Sequence, residues 1–130
     1  MVGLIITVVL LASFAGLSKA ICDTVSFRYS KSIFTKKPIF WNPEISWRNK
    51  YRGNDPSNGS KFPGSTTLFV AFTDAWHLFG LLERLAFGCA AVLSGLLISK
   101  NTWFIFLAVG SYVIFAATFH LCFTYLFKSR

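Results

Sequence analysis

Residues 101–127 read NTWFIFLAVGSYVIFAATFHLCFTYLF, and none of these 27 carries a formal charge with His120 neutral. As a helix the run would extend about 40 Å at ~1.5 Å per residue. The hydrocarbon core of a bilayer is about 30 Å thick and takes about 20 residues to cross. A surface helix of that length in a soluble protein would carry one polar face, and this run has none. It predicts a transmembrane helix. The rest of the chain agrees: only 14% of the 130 residues are charged and 54% are hydrophobic, where soluble domains carry about 25% charged residues. So few charges could not cover the surface of a soluble globule, and so much hydrophobicity excludes a disordered chain.

Two further spans follow by working back towards the N-terminus. Val2 to Ser18 is uncharged and closes at Lys19, so residues 1–21 read as a first transmembrane helix. A cleaved signal peptide is the alternative, with Leu17-Ser18-Lys19-Ala20 as a passable cut site. Against it, no Lys or Arg precedes position 19, and Ile21 before Cys22 is too large for a lipoprotein cut. The middle span is shorter. Leu85 to Ser99 is uncharged, but must extend through Glu83 and Arg84 to cross. The apolar run Leu68 to Leu82 precedes it, interrupted by Asp74 and His77. Residues 66–100 therefore read as one long helix or two collinear pieces, interfacial in the first half and lipid-embedded in the second. Residues 101–127 form the third span and 128–130 a basic tail. The fold class is an all-α membrane protein: three transmembrane helices with an aromatic-basic interfacial loop.

The net charge of +8 is unevenly placed. Most basic residues lie between Lys19 and Lys61, Lys128 and Arg130 follow the third span, and Lys100 stands alone in the opposite turn. By the positive-inside rule the loop and C-terminus face the cytoplasm, with the N-terminus outside.

The loop, residues 22–65, divides in two. Asp23 is placed to cap a short helix running to Phe34, which Lys36-Lys37-Pro38 would end, because the residue before Pro avoids the helical region. Phe40-Trp41-Asn42-Pro43 and Ser46-Trp47-Arg48-Asn49-Lys50-Tyr51-Arg52 follow. Trp and Tyr favour headgroup depth and Lys and Arg favour anionic lipid. The segment reads as a surface-lying loop anchored by aromatics; Arg48, Lys50 and Arg52 are candidates for a headgroup or phosphate site. Nucleic acid uses the same residue types, but membrane embedding already accounts for the aromatics, and no nucleic-acid partner is expected. From Arg52 to Ser65, Gly53-Asn54-Asp55-Pro56 and Ser57-Asn58-Gly59-Ser60 are turn sequences. They lack the ligand spacing of a calcium loop. Asn58-Gly59-Ser60 matches a glycosylation sequon that a cytoplasmic loop would not expose to the enzyme. Ser65 or Thr66 would cap the long helix.

One constellation has chemical potential. On a continuous helix from Thr66, at ~100° per residue, Asp74, His77 and Arg84 share a face and Glu83 lies on the other side. The same face continues into the small residues Gly88, Ala91 and Gly95, a pattern that lets helices approach closely in lipid. The third span repeats it with Gly110, Val113, Ala117, His120 and Thr124. A short turn at Lys100–Thr102 would make the two spans an antiparallel hairpin. Residues at one level then sum to about 201 by the helical rise, bringing Asp74, His77, Arg84 and His120 towards one interface. Asp74 and His77 are candidates for acid-base chemistry, Arg84 for holding phosphate, and Asp74, His77 and His120 for a metal, though no metal is favoured over a plain Asp74–His77 or Asp74–Arg84 pair. Three helices offer little room for haem, and no cofactor is expected. Cys22, Cys89 and Cys122 read as ordinary membrane residues, with acylation open at Cys22. No phosphate loop, nucleophile elbow or metalloprotease helix appears.

The motifs Phe40-Trp41-Asn42-Pro43, Ser46-Trp47-Arg48-Asn49-Lys50-Tyr51 and Thr73-Asp74-Ala75-Trp76-His77-Leu78 resemble a group of small bacterial membrane proteins. The resemblance covers Ile21 to Leu82, implies a bacterial inner membrane and carries no activity. The expectation for function is a non-catalytic accessory subunit that packs on other membrane chains or on itself, in contact with anionic lipids. The alternative is a protein that binds or processes lipid headgroups or polyprenyl phosphate through Asp74, His77 and Arg84. An oligomeric channel is a third class.

Overall fold

A computed structural model describes residues 1–129. The protein is all-α, with three helices among the described residues long and apolar enough to cross a membrane: Val2–Phe27, Ala75–Ile98 and Thr102–Leu126. It is a multi-pass membrane protein by that measure. The first is α1 (Val2–Phe27). Two short helices in the loop are α2 (Pro38–Trp41) and α3 (Pro43–Ser46). The second span is α4 (Ala75–Ile98). The third comprises a 3-10 turn at Thr102–Phe104, α5 (Ile105–Leu121) and a π turn at Cys122–Leu126.

α1 is the centre of the bundle. It packs along both α4 and α5, which meet each other much less. The reason is side-chain size. Val8, Ala12, Ala15, Gly16, Ser18 and Ala20 are buried along α1, and small side chains let two backbones approach in lipid, where no hydrophobic force drives helices together. Gly16 marks the tightest point: a Cβ there would lie 2.4 Å from the Phe115 carbonyl oxygen and 3.1 Å from Thr118 Cβ. α4 answers with Ala86, Ala90 and Ser94, and α5 with Ser111. The expected antiparallel register of α4 and α5 holds where they touch, since the Phe87 and Phe115 rings sit edge-on at 5.4 Å.

Three sequence expectations change. α1 continues eight residues beyond Lys19 to Phe27, because Lys19 and Asp23 pair at i and i+4 along it, with Lys19 Nζ 2.5 Å from Asp23 Oδ1, so neither charge breaks the helix. Asp23 therefore caps no separate helix, and the chain to Lys36 proceeds in 3-10 turns. α4 starts at Ala75 rather than Thr66. Gly64, at φ +79°, turns the chain, residues 65–73 stay in turns, and the helix begins only where Asp74 caps it. Finally, the loop aromatics do not all lie outward. Phe34 stacks on Trp41 at 4.4 Å, Trp41 on Phe79 of α4 at 5.7 Å, and Phe34 meets Phe127 at 5.1 Å. These rings close the foot of the bundle around Ala20, Ile21, Cys122 and Phe127. Ile39, Ile45, Trp47 and Phe62 remain exposed.

Hydrogen bonds fasten the loop to the helices. Asn49 Nδ2 donates to the carbonyls of Ile39 (2.6 Å) and Thr73 (3.0 Å), joining α2 to the start of α4. Buried Ser65 donates its hydroxyl to the Lys50 carbonyl at 2.7 Å and accepts from Lys61 N–H at 3.1 Å, which closes the Tyr51–Ser60 turn region. At the other end of the chain, Ile33 N–H donates to the Phe127 carbonyl (3.1 Å) and Ser129 N–H to the Lys31 carbonyl (2.7 Å).

Candidate functional site

Asp74 and His77 are brought together, but as a helix cap. Asp74 is 1% exposed. Its Oδ1 accepts from His77 N–H at 2.9 Å, satisfying one of the backbone donors that a helix start leaves free. Its Oδ2 receives the His77 ring at Nδ1 (2.7 Å) and the Thr73 hydroxyl (3.2 Å). Local sequence dictates this arrangement: Asp in extended backbone at φ −156° and a donor-bearing side chain three residues on make a closed ring of hydrogen bonds. The Trp76 ring stands perpendicular to His77 at 4.9 Å.

Arg84 and His120 do not join this pair. Among the described residues, Lys19 forms an ion pair with Asp23, and Asp74 contacts the His77 ring but neither Arg84 nor His120. No group of three metal-ligating side chains forms among the described residues, so the Asp74, His77, His120 metal set does not assemble. The cause is the late start of α4. With Asp74 as cap, outside the helix, the face drawn from Thr66 no longer applies. His120 is exposed on α5, with the Tyr125 ring 6.4 Å away.

Arg84 instead lines a cleft between α1 and α4 of about 410 Å³, together with Lys19, Cys22, Asp23 and Glu83. Glu83, expected on the opposite side of the helix, shares this cleft with Arg84. The Cys22 thiol donates to the Trp76 carbonyl at 3.5 Å. Two cations and two carboxylates balance here at the loop end of the spans. Sequence reasoning missed Lys19 and Asp23 because it ended the span at Lys19; their i, i+4 spacing was the available signal.

Two of the loop cations Arg48, Lys50 and Arg52 lie on aromatic rings beside them. Arg48 lies 5.3 Å from the Trp47 ring centre and Lys50 5.6 Å from that of Tyr51, both cation–π contacts with neighbours in sequence. Asp55 near them has its carboxyl held below the usual range, first by the Ser57 backbone N–H and then by the Ser57 hydroxyl, with a smaller contribution from Arg48.

The proposed packing stripe also needs correction. Gly88, Gly95 and Gly110 have open space where a Cβ would stand, and Ala91 and Ala117 are exposed. Within the chain, Ala86, Ala90 and Ser94 do the packing instead, one residue out of phase with Ala91 and Gly95. The difference arises because α1, not α5, is the principal partner of α4. The outward stripe borders a groove of about 220 Å³ between α4 and α5, lined by Ala90, Ala91, Ser94, Gly95, Ala108 and Ser111. Inside the bundle Ser94 is 3% exposed and its Oγ has no hydrogen-bond partner. Ser99 and Ser111 donate to carbonyls three residues back, at 2.7 Å each; Ser94 does not.

Comparison of the chain with family models, with curated proteins and with solved structures finds no match. The function must be read from the geometry alone.

Proposed function

We propose that the protein is a small accessory subunit of a membrane assembly and receives a further transmembrane helix in the α4–α5 groove. The observation that carries this reading is the open small-residue face of that groove, where Ala91 is exposed and Gly95 has no atom within 4 Å of a Cβ, with the buried Ser94 hydroxyl behind it lacking a partner. A polar group in that state costs free energy until something bonds to it, and hydrogen bonds between transmembrane helices contribute about 0.6–2 kcal/mol each. Small residues make up most of the groove, with Ala90, Ala91, Ser94, Gly95, Ala108 and Ser111 between Phe87 and Ile98, so a helix backbone can approach closely, and Gly88, Ala91 and Gly95 leave open space on the outer face of α4. The occupant belongs either to another chain or to a second copy of this one.

The concentration of cations at the loop end supports an orientation with the N-terminus outside, the C-terminus in the cytoplasm and anionic lipid around the loop; a bacterial inner membrane is what the resemblance of the loop motifs implies. The Asp74–His77 pair is accounted for as a helix cap, since Asp74 Oδ1 accepts from the His77 N–H that begins α4.

Native mass spectrometry of the tagged protein, gently extracted from its own membrane, tests the proposal. Extra protein mass is expected, and the mass itself separates a second copy from a different chain. Ala91→Leu with Gly95→Leu fills the groove and should remove that mass while leaving the helical content intact. A folded, monodisperse single chain in mild detergent would refute the reading.

A further inference from the structure

A second cleft, of about 440 Å³, lies between the loop end of α1 and the π turn that follows α5. This volume falls within the ~300–1,000 Å³ of small-molecule sites. Its cations are Arg28, Lys31 and Lys128; its apolar wall is Phe27, Phe123 and Phe127. No carboxylate is among its lining residues within the described part of the chain. The three cations come from distant parts of the sequence, and the fold assembles them. Arg28 is the residue that ends α1. Lys31 and Lys128 are drawn together by the bridge between Ser32 and Lys128 and by the Ser129 N–H bond to the Lys31 carbonyl.

Two helix ends terminate here, and each presents roughly half a negative charge. Arg28 answers them directly: one guanidinium nitrogen donates to the Phe123 carbonyl at 3.3 Å, and its carbon sits 4.0 Å over the Phe123 ring. Among the described residues, about two positive charges then remain unbalanced in the cleft after both helix ends are counted. Thr24 adds an independent sign of a missing acceptor. It lines the cleft, is 1% exposed, and its Oγ1 has no partner. Thr7, Ser13 and Ser26 of the same helix each donate to the carbonyl four residues back, at 2.9, 3.0 and 2.8 Å; Ser18, inside the bundle, shares with Thr24 a buried hydroxyl without a partner, but only Thr24 of the two lines this cleft. Thr24 thus keeps a donor beside three cations, in the last turn of a helix long and apolar enough to cross a membrane.

We propose that this cleft binds the phosphate of an anionic phospholipid. Arg28, with its planar fork already oriented by Phe123, donates to the phosphate oxygens. Lys31 and Lys128 act as flexible point charges beside it. Thr24 donates from the floor, and the Phe wall receives the upper part of the acyl chains.

The test is lipid retention by the full chain in mild detergent, read by native mass spectrometry with phosphatidylglycerol and phosphatidylcholine supplied equally. Phosphatidylglycerol should be retained in preference. The triple variant Arg28→Gln, Lys31→Gln, Lys128→Gln should weaken it about 100-fold, since each Lys or Arg near an anionic surface contributes about fivefold. Arg48→Gln, Lys50→Gln, Arg52→Gln removes equal charge from the loop and should leave retention unchanged. Lys31→Arg with Lys128→Arg should keep both fold and retention. If the triple variant loses its helical content, Lys128→Gln alone is the readout, with about a fivefold loss expected. Excess inorganic phosphate separates the two sources of this chemistry: undiminished retention assigns the cleft to the headgroup, while displacement assigns it to the free ion and overturns the lipid proposal. Equal losses in the cleft and loop variants would overturn it as well, by showing diffuse attraction rather than a site.

Discussion

Replacing Gly16 by Ala tests whether α1 is the true axis of the bundle. The added Cβ would stand 2.4 Å from the Phe115 carbonyl oxygen and 3.2 Å from its carbonyl carbon. Both are backbone atoms, so no side chain can rotate away. Relief to the 3.4 Å of an ordinary contact requires α1 and α5 to part by 1.0 Å, the difference between 3.4 and 2.4. Overpacking of this kind costs about 1–3 kcal/mol. Against it, Ala is a better helix former than Gly by about 1 kcal/mol, leaving a net loss of about 0–2 kcal/mol for Gly16→Ala, and a loss of about 1–3 kcal/mol relative to Gly88→Ala, which has the same helix gain without the clash. Gly16→Val, with two more methyl groups facing the same carbonyl, should lose about 3 kcal/mol or more. Gly88→Ala and Gly110→Ala serve as controls, because a Cβ at either position meets nothing within 4 Å; neither should destabilise the single chain. The assay is reversible unfolding in mixed micelles with increasing SDS, followed by helical circular dichroism. If Gly16→Ala proves as stable as Gly88→Ala, α1 and α5 do not approach as described and the central placement of α1 is wrong.

Two other measurements probe the helix start and the loop. Asp74→Ala removes the acceptor of three hydrogen bonds at a buried cap and should lower stability by about 2 kcal/mol, whereas Asp74→Asn keeps a side-chain oxygen for His77 N–H and should lose less than half of that. Equal losses in the same SDS unfolding assay would show that the carboxylate's charge, rather than its capping geometry, matters. At the loop, the Ser57 hydrogen bonds hold the folded-state pKa of Asp55 below its usual value. Any stabilisation linked to this shift is present above the unfolded-state pKa, about 3.9, and fades as pH falls through the folded value. Ser57→Ala removes the hydroxyl donor and keeps the backbone donor, so the Asp55 carboxyl should titrate at higher pH than in the unchanged protein. Carboxyl carbon NMR of the full chain in micelles measures it, and an unmoved titration would disprove the role assigned to the hydroxyl.

Much of the architecture was legible because transmembrane helices announce themselves by composition. A run such as 101–127, with no charge over its length, has one stable environment, and its backbone polar groups can be satisfied there by helical hydrogen bonds. The α4–α5 register was also legible, since a short turn between two straight helices leaves little freedom. The site was read less well. Taking Asp74 as an interior helical residue put it on a face with Arg84, whereas its short acceptor side chain is better used to begin the helix. Lys19 looked like the end of a span, although a charge four residues from its opposite continues a helix.

The sequence by itself determined that the chain crosses a membrane three times, where the uncharged runs lie, and at which end its cations gather, because bilayer thickness and charge transfer constrain these from composition alone. Which faces meet was decided only by the tertiary structure. Ala90 and Ala91, or Ser94 and Gly95, are equally small and equally apolar in their surroundings, so nothing local says which of them turns to α1. In lipid no hydrophobic force selects a face, and the choice falls to close packing around a particular glycine: Gly16, against the backbone of Phe115. The same packing brings Arg28, Lys31 and Lys128 to one cleft from positions a hundred residues apart in the extreme.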